Sequence, residues 1–304
     1  MIDIQNLKFG YVKSWPVFSN FTMRLEEGNV YGLLGKNGTG KSTLLYLLCG
    51  LLRPQKGKIY VDGFEAKQRK ADMLREIMFV PEEYELPSIS LASYVAINAP
   101  FYPNFSMSAL TQNLQEFELP EKINLGKLSM GQKKKVIISF ALAARTKYLF
   151  LDEPTNGLDI PSKAQFRRVV ASNMNSERTV IISTHQVRDV EMLIDHVVMI
   201  SRHEVLLNTS IEALSRNLRF EIRPSSSELQ SDVLYAEPSL QGNYVIARGE
   251  SAADGAAVNL ELLFNAVTSG ALREVSGLSL TPSPYGDDAP TAPQNEDTTT
   301  PNAR

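Results

Sequence analysis

The chain has 304 residues, 43% of them hydrophobic, which suits a globular protein with one large domain and a smaller second one. Its formal net charge is −3, so basic residues do not outnumber acidic ones, and the composition gives no argument for a nucleic-acid partner. The single cysteine, Cys49, excludes an internal disulfide, and no apolar run approaches the roughly 20 residues that cross a bilayer.

The N-terminal part alternates short apolar strands with a helix. Residues 2–9 and 29–34 are predicted strands, and residues 41–52 are a predicted helix that begins in a glycine-rich loop. Two further strands are predicted at residues 56–63 (KGKIYVDG) and 75–81 (REIMFVP). The start of the chain, MIDIQNLKFGY, lacks the basic segment and the long apolar run of a signal peptide, so we expect a cytoplasmic chain.

The middle of the chain inserts helices and then returns to alternation. Residues 88–119 predict helices broken by prolines, and residues 130–145 have a helical period. Residues 147–152 (KYLFLD) form a continuous apolar strand, as in a sheet covered on both faces. The pattern ends with a helix, the strand RTVIIST (178–184), the helix QVRDVEMLI (186–194) and the strand HVVMIS (196–201). This alternation indicates an α/β domain with a mainly parallel sheet, up to residue 217.

The C-terminal part has a different character. Residues 218–224 (LRFEIRP) alternate apolar and charged side chains, which predicts a half-buried strand, and residues 243–249 predict another. Residues 259–270 (NLELLFNAVTSG) predict a helix that ends at a glycine. We therefore expect a small α+β accessory domain over 218–280. The proline-rich, polar residues 281–304 predict a disordered tail.

The glycine-rich loop has the spacing of a phosphate-binding loop. Residues 35–42 (GKNGTGKS) fit the pattern G-x-x-x-x-G-K-[ST], after a predicted strand and at the start of a predicted helix. Glycines allow several backbone N–H groups to point into one cavity, and the helix adds its positive end. Lys41 is then expected to reach the β- and γ-phosphates, and Ser42 to bind Mg²⁺.

A second motif supplies carboxylates. Asp152 ends the buried strand YLFLD, and ligands of open α/β sheets bind at such strand ends. We expect Asp152 to hold Mg²⁺ through water, with a helix N-cap or loop acid as the alternative. Glu153 follows it directly, is expected to point the other way along the strand, and could take a proton from an attacking water.

Four further motifs make the chain resemble ABC-type ATPases over residues 2–207. LSMGQKKK (128–135) resembles their signature motif LSGGQ, and TNGLD (155–159) resembles their D-loop. His185 in ISTHQ resembles their switch histidine, and Tyr11 matches the aromatic residue that stacks on adenine. The resemblance implies a P-loop NTPase core of the RecA-like type with a parallel sheet. It also implies an antiparallel N-terminal β-subdomain and a helical subdomain at about 88–145, with the α+β appendage following.

The resemblance also implies an ATPase that uses ATP and Mg²⁺. Two such domains join head to tail in the family, so this chain is expected to pair with a second ATPase subunit, as a homodimer or a heterodimer. The implied nucleotide contacts are Tyr11, Gly35, Lys36, Asn37, Gly38, Thr39, Gly40, Lys41, Ser42, Thr43, Ser129, Gly131, Gln132 and Asp159. The implied catalytic residues are Glu153, His185 and Lys41, and the implied metal ligands are Ser42, Glu82 and Asp152.

Two positions depart from the family pattern. Glu82 stands where members usually carry glutamine; an ionised carboxylate can still bind Mg²⁺ but cannot donate a hydrogen bond, and a solvated acidic turn is the alternative. Met130 stands in place of a glycine of the signature motif, while Ser129, Gly131 and Gln132 remain.

Three functions fit these residues. The first is the ATP-hydrolysing subunit of an ABC transporter with separate membrane subunits, export-type, peripheral on the inner face of the plasma membrane. Its docking surface is expected at residues 88–120 and Glu82, where Phe101, Tyr102 and Phe105 are either a partner patch or a local core. The second is a soluble ABC ATPase that acts on ribosomes or nucleic acid, but the chain lacks a second cassette and basic linkers. The third is a nucleotide-gated binding protein without hydrolysis, against which Lys41, Glu153 and His185 argue.

Overall fold

A computed structural model describes residues 1–12, 14–120, 122–224, 231–250 and 258–272. The strands are β1 Ile2–Phe9, β2 Phe18–Leu25, β3 Val30–Leu34, β4 Lys56–Val61, β5 Phe64–Glu65, β6 Ile77–Val80, β7 Tyr148–Asp152, β8 Thr179–Thr184, β9 His196–Ile200, β10 Val205–Ser210, β11 Leu218–Arg223, β12 Val233–Ser239 and β13 Gly242–Arg248. The α-helices are α1 Lys41–Leu48, α2 Ala71–Arg75, α3 Leu91–Asn98, α4 Met107–Glu116, α5 Met130–Ala143, α6 Ile160–Ser172, α7 Ile211–Asn217 and α8 Leu260–Thr268.

A six-stranded sheet in the order β10-β9-β3-β8-β7-β6 forms the centre of the molecule. Its strands run parallel except for β10, which pairs antiparallel with β9 at one edge. This confirms the expected α/β fold with a parallel sheet. Because β3, β8 and β7 are parallel neighbours, the loops that follow them meet at one edge of the sheet, and they contain the glycine-rich loop, His185 and Glu153.

The central strands are buried on both faces, and each face packs against a different hydrophobic cluster. Leu149 and Leu151 of β7 face the cluster that contains α5 and α6, whereas Tyr148 and Phe150 face the cluster that contains α1 and the N-terminal strands. Successive side chains of a strand point to opposite faces. Asp152 therefore lies on the face that packs against α1, the helix that begins at the glycine-rich loop.

Two smaller sheets flank this core. An antiparallel sheet in the order β2-β1-β4-β5 packs with α1, as expected for the N-terminal β-subdomain. Between β6 and β7 the chain forms α3, α4 and α5, in the segment expected to be a helical insertion. The third sheet, β11-β13-β12, and α8 lie within 218–280, where the accessory domain is predicted. The predicted tail, 281–304, lies outside the described residues.

The prediction of a helix over residues 186–194 is wrong. Only a single 3₁₀ turn, Val187–Asp189, forms there, followed by further turns. The helical spacing predicts that Val187, Val190 and Ile194 are buried, and they are. A series of turns, and not a helix, places these side chains in the core. The connection from β8 to β9 must cross β3 in few residues, so tertiary packing overrides the local period.

Within the described residues, no helix combines the length and the apolar character needed to cross a bilayer.

Candidate functional site

The glycine-rich loop curls between β3 and α1 in a form that needs glycine. Gly38 and Gly40 have φ values of +78° and +102°. A Cβ atom on Gly40 would lie 2.6 Å from Val17 Cγ1, so a side chain there would meet both backbone strain and a clash. The first backbone N–H groups of α1 have no helical acceptor and face the loop. The sequence therefore folds into an anion-binding nest at this position.

Lys41 points into this nest and is almost fully buried. Its Nζ donates to the Gly35 carbonyl over 2.8 Å and lies 3.9 Å from Glu153 Oε1. Burial lowers the pKa of Lys41, and the charges of Glu153, Asp152 and Glu82 oppose that shift. The ammonium is thus held among groups that only partly compensate its lost hydration, so an incoming polyphosphate can take over as its partner.

Asp152 is 2% exposed and lies between two hydroxyl groups. Ser183 on β8 donates to Asp152 Oδ1, and Ser42 at the start of α1 also hydrogen-bonds to the carboxyl group. Burial raises the pKa of Asp152, whereas the two hydroxyl donors lower it. A buried carboxylate beside a serine hydroxyl is the kind of oxygen pair that Mg²⁺ uses together with phosphate oxygens and water.

Glu153 does not point away from Asp152, as strand alternation predicts. The strand ends at Asp152, and Glu153 has φ +45°, a left-handed conformation. This turn brings the Glu153 carboxylate close to Lys41 and His185. Its Oε1 lies 2.8 Å from His185 Nδ1. Its Oε2 is buried and has no hydrogen-bond partner among the described residues. An unpartnered buried oxygen beside a histidine is suited to accept a hydrogen bond from a bound water.

A cavity of about 450 Å³ lies beside Lys41. It is lined by Tyr11, Val17, Asn37, Gly38, Gly40, Lys41, Ser42, Thr43, Glu82, Glu153 and His185. Tyr11 is 64% exposed at its mouth, and its hydroxyl is 3.3 Å from Thr43 Oγ1. Gly35, Lys36 and Thr39 belong to the loop but do not line the cavity; Thr39 Oγ1 donates to the Lys36 carbonyl instead.

Glu82 reaches the cavity from the loop after β6. Its Oε1 accepts a hydrogen bond from Asn156 Nδ2 over 2.8 Å. Among the described residues, no three acidic, histidine or cysteine side chains converge closely enough to hold a metal ion by themselves.

The signature segment and Asp159 are not part of this cavity. Ser129 caps α5 in a capping box: its Oγ accepts from the Gln132 N–H, and Gln132 Oε1 accepts from the Ser129 N–H. Gly131 is half-buried in the first turn, and Met130 is 79% exposed. Asp159 caps α6 through a hydrogen bond from the Ser162 N–H. Hydrogen bonds from the hydroxyl group and then from the N–H of Ser162 lower the pKa of Asp159.

Three residues of the site were not predicted from the sequence. Ser183 lies two positions before His185, on the strand beside β7, and only the strand order brings it to Asp152. Lys134 and Asn156 lie inside the motifs LSMGQKKK and TNGLD, but the motifs alone predict no role for either residue. Lys134 Nζ donates to the backbone carbonyls of Glu153 and Asn156, a contact that spacing does not reveal.

Known proteins resemble the chain in sequence and in fold. Residues 18–156 match the sequence model of the ABC transporter family. The lantibiotic transport ATP-binding protein SrtF of Streptococcus pyogenes is 31% identical over 229 residues, which cover 72% of this chain and 94% of SrtF. The bacitracin transport ATP-binding protein BcrA of Bacillus licheniformis is 31% identical over 225 residues, 72% of each chain. The dimeric structure of MJ0796, a bacterial ABC transporter cassette, superposes with a TM-score of 0.60 at 23% identity and covers 69% of this chain and 98% of that one.

Proposed function

Because this chain belongs to the ABC transporter ATP-binding family, and is thus an ATPase that powers transport through separate membrane subunits, we propose that the cavity beside Lys41 is its hydrolytic site. The observation that carries this assignment is that Lys41, Ser42, Glu153 and His185 line one cavity, with Asp152 hydrogen-bonded to Ser42 beside it.

The glycine-rich loop holds the triphosphate. Backbone N–H groups of residues 35–42 and the positive end of α1 surround the phosphates. Lys41 exchanges its contact with the Gly35 carbonyl for the β- and γ-phosphate oxygens, a charge-assisted hydrogen bond that is stronger than the neutral one it replaces. At the mouth, Tyr11 offers an exposed ring on which adenine stacks.

Ser42, Asp152 and Glu82 are the residues that would hold Mg²⁺. Their oxygens fit the preference of this ion, and the burial that raises the pKa of Asp152 is the condition that a bound cation would relieve. The ion would neutralise charge that develops on the phosphate oxygens.

Glu153 is the general base, and His185 orients it. The free Oε2 of Glu153 accepts a hydrogen bond from the attacking water and removes its proton. Since His185 contacts Glu153 through Nδ1, its Nε2 stays available for the γ-phosphate.

A second ATPase subunit completes the site. Ser129, Gly131 and Gln132 lie outside the cavity of their own chain, and the segment from 129 to 132 is partly or fully exposed. The first turn of α5 directs backbone N–H groups outwards, which suits a γ-phosphate held by the other subunit. We include Asp159 in the same interface because it is exposed at the start of α6.

A groove of about 550 Å³ is the docking surface for the membrane subunit. Leu51, Leu74, Phe79 and Phe101 line it together with the basic residues Arg69 and Arg75. Phe101 is 67% exposed, which suits a partner contact. Phe105 instead packs on Phe140 in a local core, with ring centroids 5.2 Å apart, whereas Tyr102 packs on Phe140 at 6.2 Å and also lines the groove. The partner segment is an apolar helix or loop with acidic residues, at the cytoplasmic face of the membrane.

Export of a peptide-like substrate is the transport direction that we assign. SrtF and BcrA are named for lantibiotic and bacitracin transport, and the chain covers 94% and 72% of them. The test for this assignment is whether the chain and its membrane subunit raise the resistance of a susceptible host to such peptides.

The hydrolytic assignment is tested by ATPase kinetics on the purified chain and on Glu153→Gln. Loss of a general base lowers kcat by about 10² to 10⁴-fold. The variant should still bind ATP and accumulate as an ATP-bound dimer in size-exclusion chromatography. Glu177→Gln is the matched control, because Glu177 precedes β8 at the opposite edge of the sheet and should leave kcat unchanged. Full activity of Glu153→Gln would contradict the role of Glu153.

A further inference from the structure

Lys134 is a buried lysine whose ammonium group contacts the loop that carries Glu153. The residue is 5% exposed, and its Nζ donates to the Glu153 carbonyl over 3.1 Å and to the Asn156 carbonyl over 2.9 Å. Burial lowers the pKa of Lys134, and the charges of Glu82, Glu153 and Asp152 oppose this shift. A buried ammonium is costly, so these two carbonyl contacts hold the loop in one position.

The Glu153 backbone needs such support. Its φ of +45° is a left-handed conformation that is unfavourable for a residue other than glycine. Besides Lys134, the Glu153 N–H donates to the Ser183 carbonyl and the Asn156 N–H donates to the Glu153 carbonyl. Lys134 is the contact that ties this strained turn to another helix.

Asn156 extends the connection to Glu82 and to the segment after β8. Its side-chain Nδ2 donates to Glu82 Oε1, and its Oδ1 accepts from Gln186 Nε2 over 3.1 Å. Lys134 thus lies one helical turn from Met130 and joins the first turns of α5 to the two loops that carry Glu82 and Glu153.

The neighbouring lysine shows that this placement is specific. Lys135 Nζ contacts the Phe117 carbonyl and Gln165 Oε1, partners that lie in the helical segment and on α6, outside the cavity. Both lysines lie on α5 and donate to backbone carbonyls of other segments. Of the two, only Lys134 contacts the loop of the proposed base.

We propose that Lys134 is a positioning residue that sets the carboxylate of Glu153 within its own subunit. The inference rests on the proposed hydrolytic role of this cavity. It further implies that the first turn of α5, where the nucleotide of the second subunit would bind, is mechanically joined to the base that acts on the first nucleotide.

The first test replaces Lys134 with methionine, which keeps the length of the side chain and removes its hydrogen bonds, and compares it with Lys135→Met. A misplaced base lowers kcat by about 10²-fold, whereas affinity for a fluorescent ATP analogue should not change, because Lys134 does not line the cavity. Lys134→Gln, whose amide can still donate, should recover part of kcat. Lys135→Met should lower the melting temperature by a similar amount and leave kcat near that of the wild type.

A second readout needs no nucleotide. Hydrogen exchange at the Asn156 amide, which donates to the Glu153 carbonyl over 3.2 Å, should accelerate in Lys134→Met and not in Lys135→Met. Unchanged exchange together with unchanged kcat would overturn the proposal. Absence of ATPase activity in the wild-type chain would instead refute the proposed function itself, so the two failures are distinguishable.

Mixed dimers test whether Lys134 acts within its own subunit. The Lys134→Met chain is mixed with an excess of the Glu153→Gln chain. In each mixed dimer, the intact Glu153 then lies in the chain that lacks Lys134. Under the proposal, activity per Lys134→Met chain does not rise. If Lys134 acted on the partner's nucleotide through the signature segment, the intact Lys134 of the Glu153→Gln chain would restore activity, and the proposal would be wrong. Gly131→Ala in the same mixture should be rescued, because Gly131 is proposed to act across the interface.

Discussion

Gly131→Ala should stabilise the isolated subunit while abolishing its activity. A Cβ atom added at Gly131 would meet only the Gly157 carbonyl oxygen, at 3.6 Å, which is an ordinary contact. The residue lies in the first turn of α5 and, unlike Gly38 and Gly40, has no positive φ. Nothing within the subunit therefore requires glycine at this position among the described residues.

The size of the stabilisation follows from helix propensity. Replacing glycine by alanine where the backbone tolerates it adds about 0.5–1 kcal/mol to the free energy of unfolding. Since 1 kcal/mol shifts the melting temperature of a domain this large by about 2–4 °C, Gly131→Ala should melt about 1–4 °C higher than the wild type. The added methyl group would meanwhile obstruct the approach of the partner's γ-phosphate to the backbone.

The assay has two arms on the same protein preparation. Thermal denaturation without nucleotide measures the first effect, and ATPase rate with ATP-dependent dimerisation measures the second. Gly126→Ala is the contrasting variant, because its Cβ would lie 2.2 Å from Ser88 Oγ and should destabilise the fold. A lower melting temperature for Gly131→Ala would refute the account of the monomer. Retained ATPase activity would refute the proposed contact across the dimer interface.

Three further predictions concern the core, the metal site and the docking groove. Arg178 is 3% exposed, and its guanidinium donates to three backbone carbonyls at the ends of α5 and α6, so Arg178→Met should lower the free energy of unfolding by about 3 kcal/mol in chemical denaturation. Asp152→Asn removes a buried acid whose pKa lies above its ordinary value of 3.8. Between pH 3.8 and the raised pKa, the folded wild type binds more protons than the unfolded chain, so its free energy of unfolding falls as the pH rises through that window. In chelator and without nucleotide, Asp152→Asn should therefore melt above the wild type at pH 7, and the difference should shrink below pH 3.8, while Mg²⁺-dependent ATPase activity is lost. Phe101→Glu should prevent co-purification with the membrane subunit and leave the ATPase activity of the isolated chain intact, because the side chain is exposed in the groove and remote from Lys41.

The sequence predicted the parts of the site that lie in one short segment or at the end of one strand. The roles proposed for the loop 35–42 and for Asp152 follow from local spacing and from the position of β7 in a buried sheet. Ser183 and Lys134 could not be predicted in this way, because each meets its partner only through the packing of other elements. Strand β12 was also missed; it contains Pro238, and its place at a sheet edge tolerates a residue that cannot donate a backbone hydrogen bond.

Local periodicity failed where the chain changes direction. Alternation along β7 places Glu153 opposite Asp152, but the strand ends one residue earlier, and a left-handed turn returns the carboxylate to Lys41. The helical period of 186–194 likewise identified the buried residues correctly and the secondary structure wrongly. In both cases burial decides which side chains face the core or the cavity, and the backbone adopts whichever local conformation achieves it.

The signature segment shows which residue can separate a structural role from a functional one. Ser129 and Gln132 form a capping box, so a substitution at either removes a helix cap worth about 1 kcal/mol as well as any contact with a nucleotide. Loss of activity in such a variant would have two explanations. Gly131 has no hydrogen-bonding side chain, and none of the residues that the structure describes lies close enough to exclude alanine there. Its substitution therefore changes the surface offered to a second subunit without weakening the helix, and this makes Gly131 the position at which the two-subunit site can be refuted.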